Sequence, residues 1–133
     1  MQKYSLDLDY FSLLSLHRAL LEAKFHPAPE DESVSGSPLV ANISIQVRDL
    51  LIASEQGSQW RDWFQLSNRP DRKKQAVLLM KHCKRWKKAA ADEKRTIAGS
   101  YLSPFIFDDV DRAPWFYGCP LISQRTRREP CPR

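Results

Sequence analysis

Prolines at positions 27, 38, 70 and 104 fix where helices can run in this chain. Each removes a backbone donor and pushes the preceding residue out of the helical region. Between these breaks the apolar residues recur three or four positions apart, as one helical face requires. Tyr10, Leu14, His17, Leu21 and Phe25 form the first such row, ended by His26–Pro27, and the Asp9 carboxylate is placed to cap it. Val40, Ile43, Val47, Leu50 and Leu51 form the second. Ser37–Pro38 reads as its N-cap and first residue, and Gly57 as the residue that closes it. Gln59–Leu66 is a third, short helix whose Trp60, Trp63 and Phe64 read as core, and Asn68–Arg69–Pro70 breaks it. A fourth is expected from Asp71 to Ala91, continuing toward Ala98 and Gly99, with Ala76, Leu79, Met80, Cys83, Trp86 and Ala90 on one stripe.

These rows predict a mainly α fold, a compact bundle of four or five helices. Residues 1–122 read as a single globular domain and residues 123–133, which lack apolar side chains after Ile122, as a disordered basic tail. Residues 27–38 are rich in Pro, Ser and acid and read as a flexible loop. An α+β alternative stays open, because residues 3–9 and 42–48 both alternate apolar and polar side chains and would pair as a short two-stranded sheet. Two caps and the length of segment 39–54 favour helix there.

Charge is distributed unevenly. Residues 69–88 hold nine Lys or Arg against Asp71, a local charge of +8 in a chain whose total is +5, while residues 1–68 carry −4 and residues 89–133 carry +1. An inert surface helix interleaves Glu with Lys to gain pairs one turn apart. This segment accumulates repulsion instead, which an anionic partner would relieve. Its field reaches about 8–10 Å at ordinary ionic strength. The binding residues expected from it are Arg69, Arg72, Lys73, Lys74, Lys81, Lys84, Arg85, Lys87 and Lys88. Phosphates suit them, since a guanidinium can fork two donors onto one phosphate.

Within the block, Trp86-Lys87-Lys88 followed by Glu93-Lys94 resembles the corner between the last two helices of an HMG box. That resemblance implies minor-groove bending by an apolar wedge. It is confined to residues 86–94: Ile97 stands where the family places an aromatic, and the first half of the chain lacks the pattern. Coincidence is the reading adopted.

A second candidate surface is Trp115-Phe116-Tyr117 between Pro114 and Gly118. Three consecutive aromatics on one element cannot all point inward, so at least one is expected to reach solvent or a protein partner. Asp108, Asp109 and Asp111 lack the glycine and distal Glu of a calcium loop and read as a turn. Three widely spaced cysteines (Cys83, Cys119 and Cys131) without a C-x-x-C argue against a disulfide framework and a zinc ribbon. No glycine-rich phosphate loop, H-E-x-x-H or G-x-S-x-G is present. His82 and Cys83 are neighbours, but adjacent helical residues diverge by about 100°. The chain is expected to be a cytoplasmic, non-catalytic accessory protein of a nucleic-acid machine, with no cofactor and no membrane segment. The rival expectation is a protein-binding modulator (an inhibitor, immunity protein or adaptor) that docks on an acidic surface.

Overall fold

The first helix, α1 (Tyr10–Lys24), begins where its cap was expected: Asp9 Oδ1 accepts from the Ser12 N–H at 2.8 Å. The computed structural model describes residues 1–107. Five further helices follow α1: α2 (Pro38–Ile52), α3 (Gly57–Trp63), α4 (Pro70–Lys81), α5 (Lys84–Lys88) and α6 (Ala91–Leu102). A single 3-10 turn, Leu66–Asn68, joins α3 to α4. The acidic turn, the aromatic cluster at 115–117, Cys119, Cys131 and the tail at 123–133 lie outside the described residues.

Ser37 caps α2 through its hydroxyl oxygen, which accepts from the Val40 N–H at 3.2 Å, and Pro38 is the first helical residue. The alternation at 42–48 is therefore overridden by the helix around it. With α2 satisfying its own hydrogen bonds, residues 3–9 have no strand to pair with. They are exposed and adopt neither helix nor strand, and no named strand occurs among the described residues. The α+β alternative is thereby corrected to a mainly α compact fold.

The expected α2 row was only partly right. Its buried residues are Ala41, Ser44, Val47 and Leu51, while Leu39, Ile43 and Leu50 face outward. Small residues at 41 and 44 let neighbouring helices lie close, and the buried Ser44 hydroxyl is satisfied by donating to Val40 O at 2.9 Å. Gly57 does not close α2, which stops at Ile52. It opens α3, and a Cβ there would stand 2.0 Å from the Ile52 carbonyl oxygen. Only glycine permits that return of the chain.

The largest departure concerns the basic segment. One helix from 71 to 91 would be a rod of about 30 Å at 1.5 Å per residue. Such a rod would stack Lys81, Lys84, Arg85 and Lys88 within one or two turns of each other. Instead α4 ends at Lys81, the chain bends at His82–Cys83, and Ala89 and Ala90 are extended before α6. The two bends bring α6 back against α4. Ile97, Ala98, Tyr101 and Leu102 are then buried beside Ala76, Val77 and Met80. Residues this deeply buried contribute about 1.5–3 kcal/mol each for the larger side chains, which outweighs the lost helical hydrogen bonds at the bends.

One core results, drawing Leu13, Leu21 and Phe25 from α1 and its end, Val47 and Leu51 from α2, and Phe64, Leu66 and Phe105 from the connections. The last is held by a parallel bridge: Leu66 N–H donates to Ile106 O at 2.9 Å, and Ile106 N–H donates to Phe64 O at 2.8 Å. The loop at 27–38 also needs correction at its far end. Ser35 is 1% exposed, and its carbonyl accepts from Lys24 of α1, which also donates to Ser100 of α6, so this part of the segment belongs to the packed body.

Candidate nucleic-acid interface

The bends divide the nine expected cations into groups with different surroundings. Arg69 and Arg72 are half-buried and lie over aromatic rings. The Arg69 guanidinium carbon is 4.5 Å from the Trp63 ring centroid, and that of Arg72 is 5.6 Å from Phe25. Arg69 also donates to Asn68 O at 3.0 Å, while its buried Nε finds no acceptor among the described residues. Both arginines thus serve packing through cation–π contact. Lys73 is half-buried beside them on α4.

Lys74 and Lys81 stand on the outward face of α4, with exposed Leu78 between them. Lys84, Arg85, Lys87 and Lys88 crowd onto the five residues of α5 and are all exposed. Arg85 meets Glu93 across the second bend at 3.6 Å. No carboxylate among the described residues lies within 4.0 Å of Lys74, Lys81, Lys84, Lys87 or Lys88. These five ammonium groups, with Arg85, are the part of the predicted set that stands exposed on α4 and α5. Trp86 turns its ring inward from α5, and the Lys94 ammonium lies 5.2 Å from its centroid. The stripe expected at 76, 79, 80, 83 and 86 is the inner side of this corner, but Ala90 is exposed.

His17 was expected on the apolar face of α1, and there it packs edge-on against three rings: Trp60 at 5.3 Å, Trp63 at 5.1 Å and Phe64 at 5.3 Å. Burial, aided by the Arg18 and Arg72 charges, pushes its pKa down to about 4. It is a neutral core residue at physiological pH. The aromatic trio of α3 and its C-cap is likewise structural: Phe64 is buried, Trp60 donates its indole N–H to Tyr10 at 3.1 Å, and Trp63 supports Arg69.

Lys24 escaped the sequence reading. It is the last residue of α1 and 1% exposed, and its ammonium donates to Ser35 O at 3.0 Å and Ser100 O at 2.7 Å. Burial draws its pKa down to about 8. A lysine falling on an apolar helical stripe (Leu13, His17, Leu21, Lys24) was the signal that could have found it. Lined in part by Ser35, a cleft of about 510 Å³ opens between segment 27–35 and the α4–α5 bend, with Cys83 and Tyr101 in its wall. Burial, then the neighbouring Cys83, push the Tyr101 phenol up to about 12. Among the described residues no group of three His, Cys, Asp or Glu side chains could hold a metal ion, and no helix is long and apolar enough to cross a membrane.

No protein-family model, curated protein or solved structure matches this chain. The likeness of residues 86–94 to an HMG-box corner gains no support from those comparisons, and the site must be read from its own geometry.

Proposed function

We propose that this protein is a non-catalytic accessory protein of a nucleic-acid machine and that the α4–α5 corner contacts the phosphate backbone. The observation that carries this reading is the set of five exposed lysines without a carboxylate partner, concentrated on two short helices. Surface lysines kept apart from Glu and Asp raise the electrostatic cost of the folded state, and polyanion binding would offset it. Side chains of this kind hold phosphates without reading bases, so binding would be weakly sequence-specific.

The test is a titration of labelled duplex DNA and RNA against salt. Five phosphate contacts give a slope of log K against log[salt] of about −4.5 on duplex DNA. Affinity would then fall roughly 500-fold between 50 and 200 mM salt. Replacing Lys84 and Lys88 with Gln should lower the slope by about 2 for every sequence alike, with the fold intact. Absence of binding to any nucleic acid at low salt would refute the reading.

A rival reading, a modulator docking on an acidic protein surface, is favoured by one separate observation. Leu39, Ile43 and Leu50 lie exposed along α2, at 77%, 46% and 58%. Apolar rows of this kind are typical of protein contact surfaces. A partner recovered from cells that survives nuclease treatment would support it over the first.

A further inference from the structure

The cleft beside the basic corner is a built site, because its floor is held in place at some cost. Lys24 is buried with no carboxylate within 4.0 Å among the described residues, and a buried unpaired ammonium is unfavourable by several kcal/mol in general. Its ammonium donates to two carbonyl oxygens, that of Ser35, which lines the cleft, and that of Ser100 on α6, the residue before Tyr101 of the cleft wall. Tyr101, next to Ser100, is fixed in turn. Its ring passes 2.6 Å from where a Cβ on Gly36 would stand, so that glycine is required for the approach. Three elements are thus locked around one depression.

The chemistry of the depression is layered. At the floor are polar groups without formal charge partners: the Ser35 hydroxyl, buried and without a hydrogen-bond partner among the described residues, and the Cys83 side chain beside Tyr101. Pro27, Pro29 and Leu79 supply apolar walls. Lys84 and Glu32 stand exposed on the rim, and Lys84 also belongs to the uncompensated basic corner. A ligand that fits must have a flat body with a neutral polar edge, directed inward, and an anionic group left at the mouth. A carboxylate directed to the floor would find no cation there, since Lys24 is already engaged with backbone.

We infer that the cleft receives one unstacked nucleobase of a single strand, with the adjoining phosphate on Lys84. The Ser35 hydroxyl bonds the base edge. The volume suits this occupant, since small-molecule sites generally measure 300–1,000 Å³. This inference rests on the phosphate-binding reading above and adds to it a preference for single strands. That preference is expected wherever a base must leave its stack to be bound.

The test compares three fluorescent probes of equal phosphate number at low salt: a short single strand, a duplex of half its length, and the same strand made abasic. Each is titrated with the full chain, with Ala28→Trp and with Ser35→Ala. Ala28 is exposed on the cleft wall, so enlargement there blocks the opening without entering the core. The intact strand should bind about tenfold more tightly than the abasic one. Ala28→Trp should erase that difference while preserving the affinity of the abasic strand and the salt slope. Ser35→Ala should weaken the intact strand about fivefold, as the loss of one hydrogen bond implies. Equal binding of intact and abasic strands, or a difference that survives Ala28→Trp, overturns the base site and leaves the phosphate reading standing. Failure of all three probes to bind at low salt overturns both.

Discussion

His17 offers the sharpest measurement, because its surroundings make stability depend on pH in a direction that can be worked out beforehand. Three aromatic rings pack against it edge-on at 5.1–5.3 Å, and its pKa is lowered from 6.5 to about 4. In the unfolded chain the imidazole protonates below pH 6.5. In the folded protein it stays neutral until about pH 4. Between those values the unfolded state binds the extra proton, so stability falls as pH falls. From pH 7 to pH 5 the loss from this residue alone is about 2 kcal/mol, and it levels off below pH 4. Against a total of about 5–15 kcal/mol that is readily measured. His17→Phe keeps an aromatic ring in the site and has nothing to titrate. Urea unfolding, followed by the fluorescence of the adjacent Trp60 and Trp63, should show a strong fall in stability between pH 7 and pH 5 for the wild type. The difference between wild type and His17→Phe should narrow by about 2 kcal/mol or reverse over the same interval. Identical pH slopes for the two proteins would refute the reasoning.

The remaining predictions are briefer. Gly57→Ala places a Cβ against the Ile52 carbonyl and should cost about 2 kcal/mol or more in thermal or chemical unfolding, whereas Gly99→Ala, where the same atom meets open space, should stabilise α6 by about 0.5–1 kcal/mol. Ser37→Ala should lose about 1 kcal/mol through the α2 cap, measurable by the same unfolding curves. For Lys24, whose pKa is lowered from 10.5 to about 8, the unfolded chain keeps its proton longer as pH rises, so stability should increase between about pH 8 and pH 10.5. Lys24→Met should abolish that increase and raise hydrogen exchange at residues 33–37, because Ser35 O loses its donor.

Local signals were legible in the sequence where local physics decides the outcome. The caps at Asp9 and Ser37, the breaks at Pro27, Pro38 and Pro70, and the core role of Phe64 and His17 follow from short-range rules. The basic segment was misread because helical spacing carries no information about bends. The stripe from Ala76 to Trp86 fits one long helix as well as two short ones, and only the return of α6 onto α4 decides between them. The same limit applied to α2, where Ile43 and Val47 look alike in sequence but one faces outward. Of the candidate site, the location of the charge was readable, but its division was not. Arg69 and Arg72 are drawn into ring contacts by Trp63 and Phe25, residues that precede them by six and forty-seven positions. Lys24 was missed for a similar reason: its acceptors come from segments distant in sequence, at Ser35 and Ser100.

The bridge between Gln65 and Ile106 has a consequence for the order of events during synthesis. Phe105 is buried between Phe25 and Phe64, and the Phe64 carbonyl and the Leu66 N–H are paired with the backbone of Ile106. A nascent chain that stops short of these residues leaves a hydrophobic gap at the junction of α1, α3 and α4. The helices can form while the polypeptide is still in the ribosomal tunnel, since their contacts are local. The core cannot close until residue 107 has emerged. Until then the aromatic wall built by α3 faces solvent, and chaperone capture or aggregation competes with folding at that stage of translation.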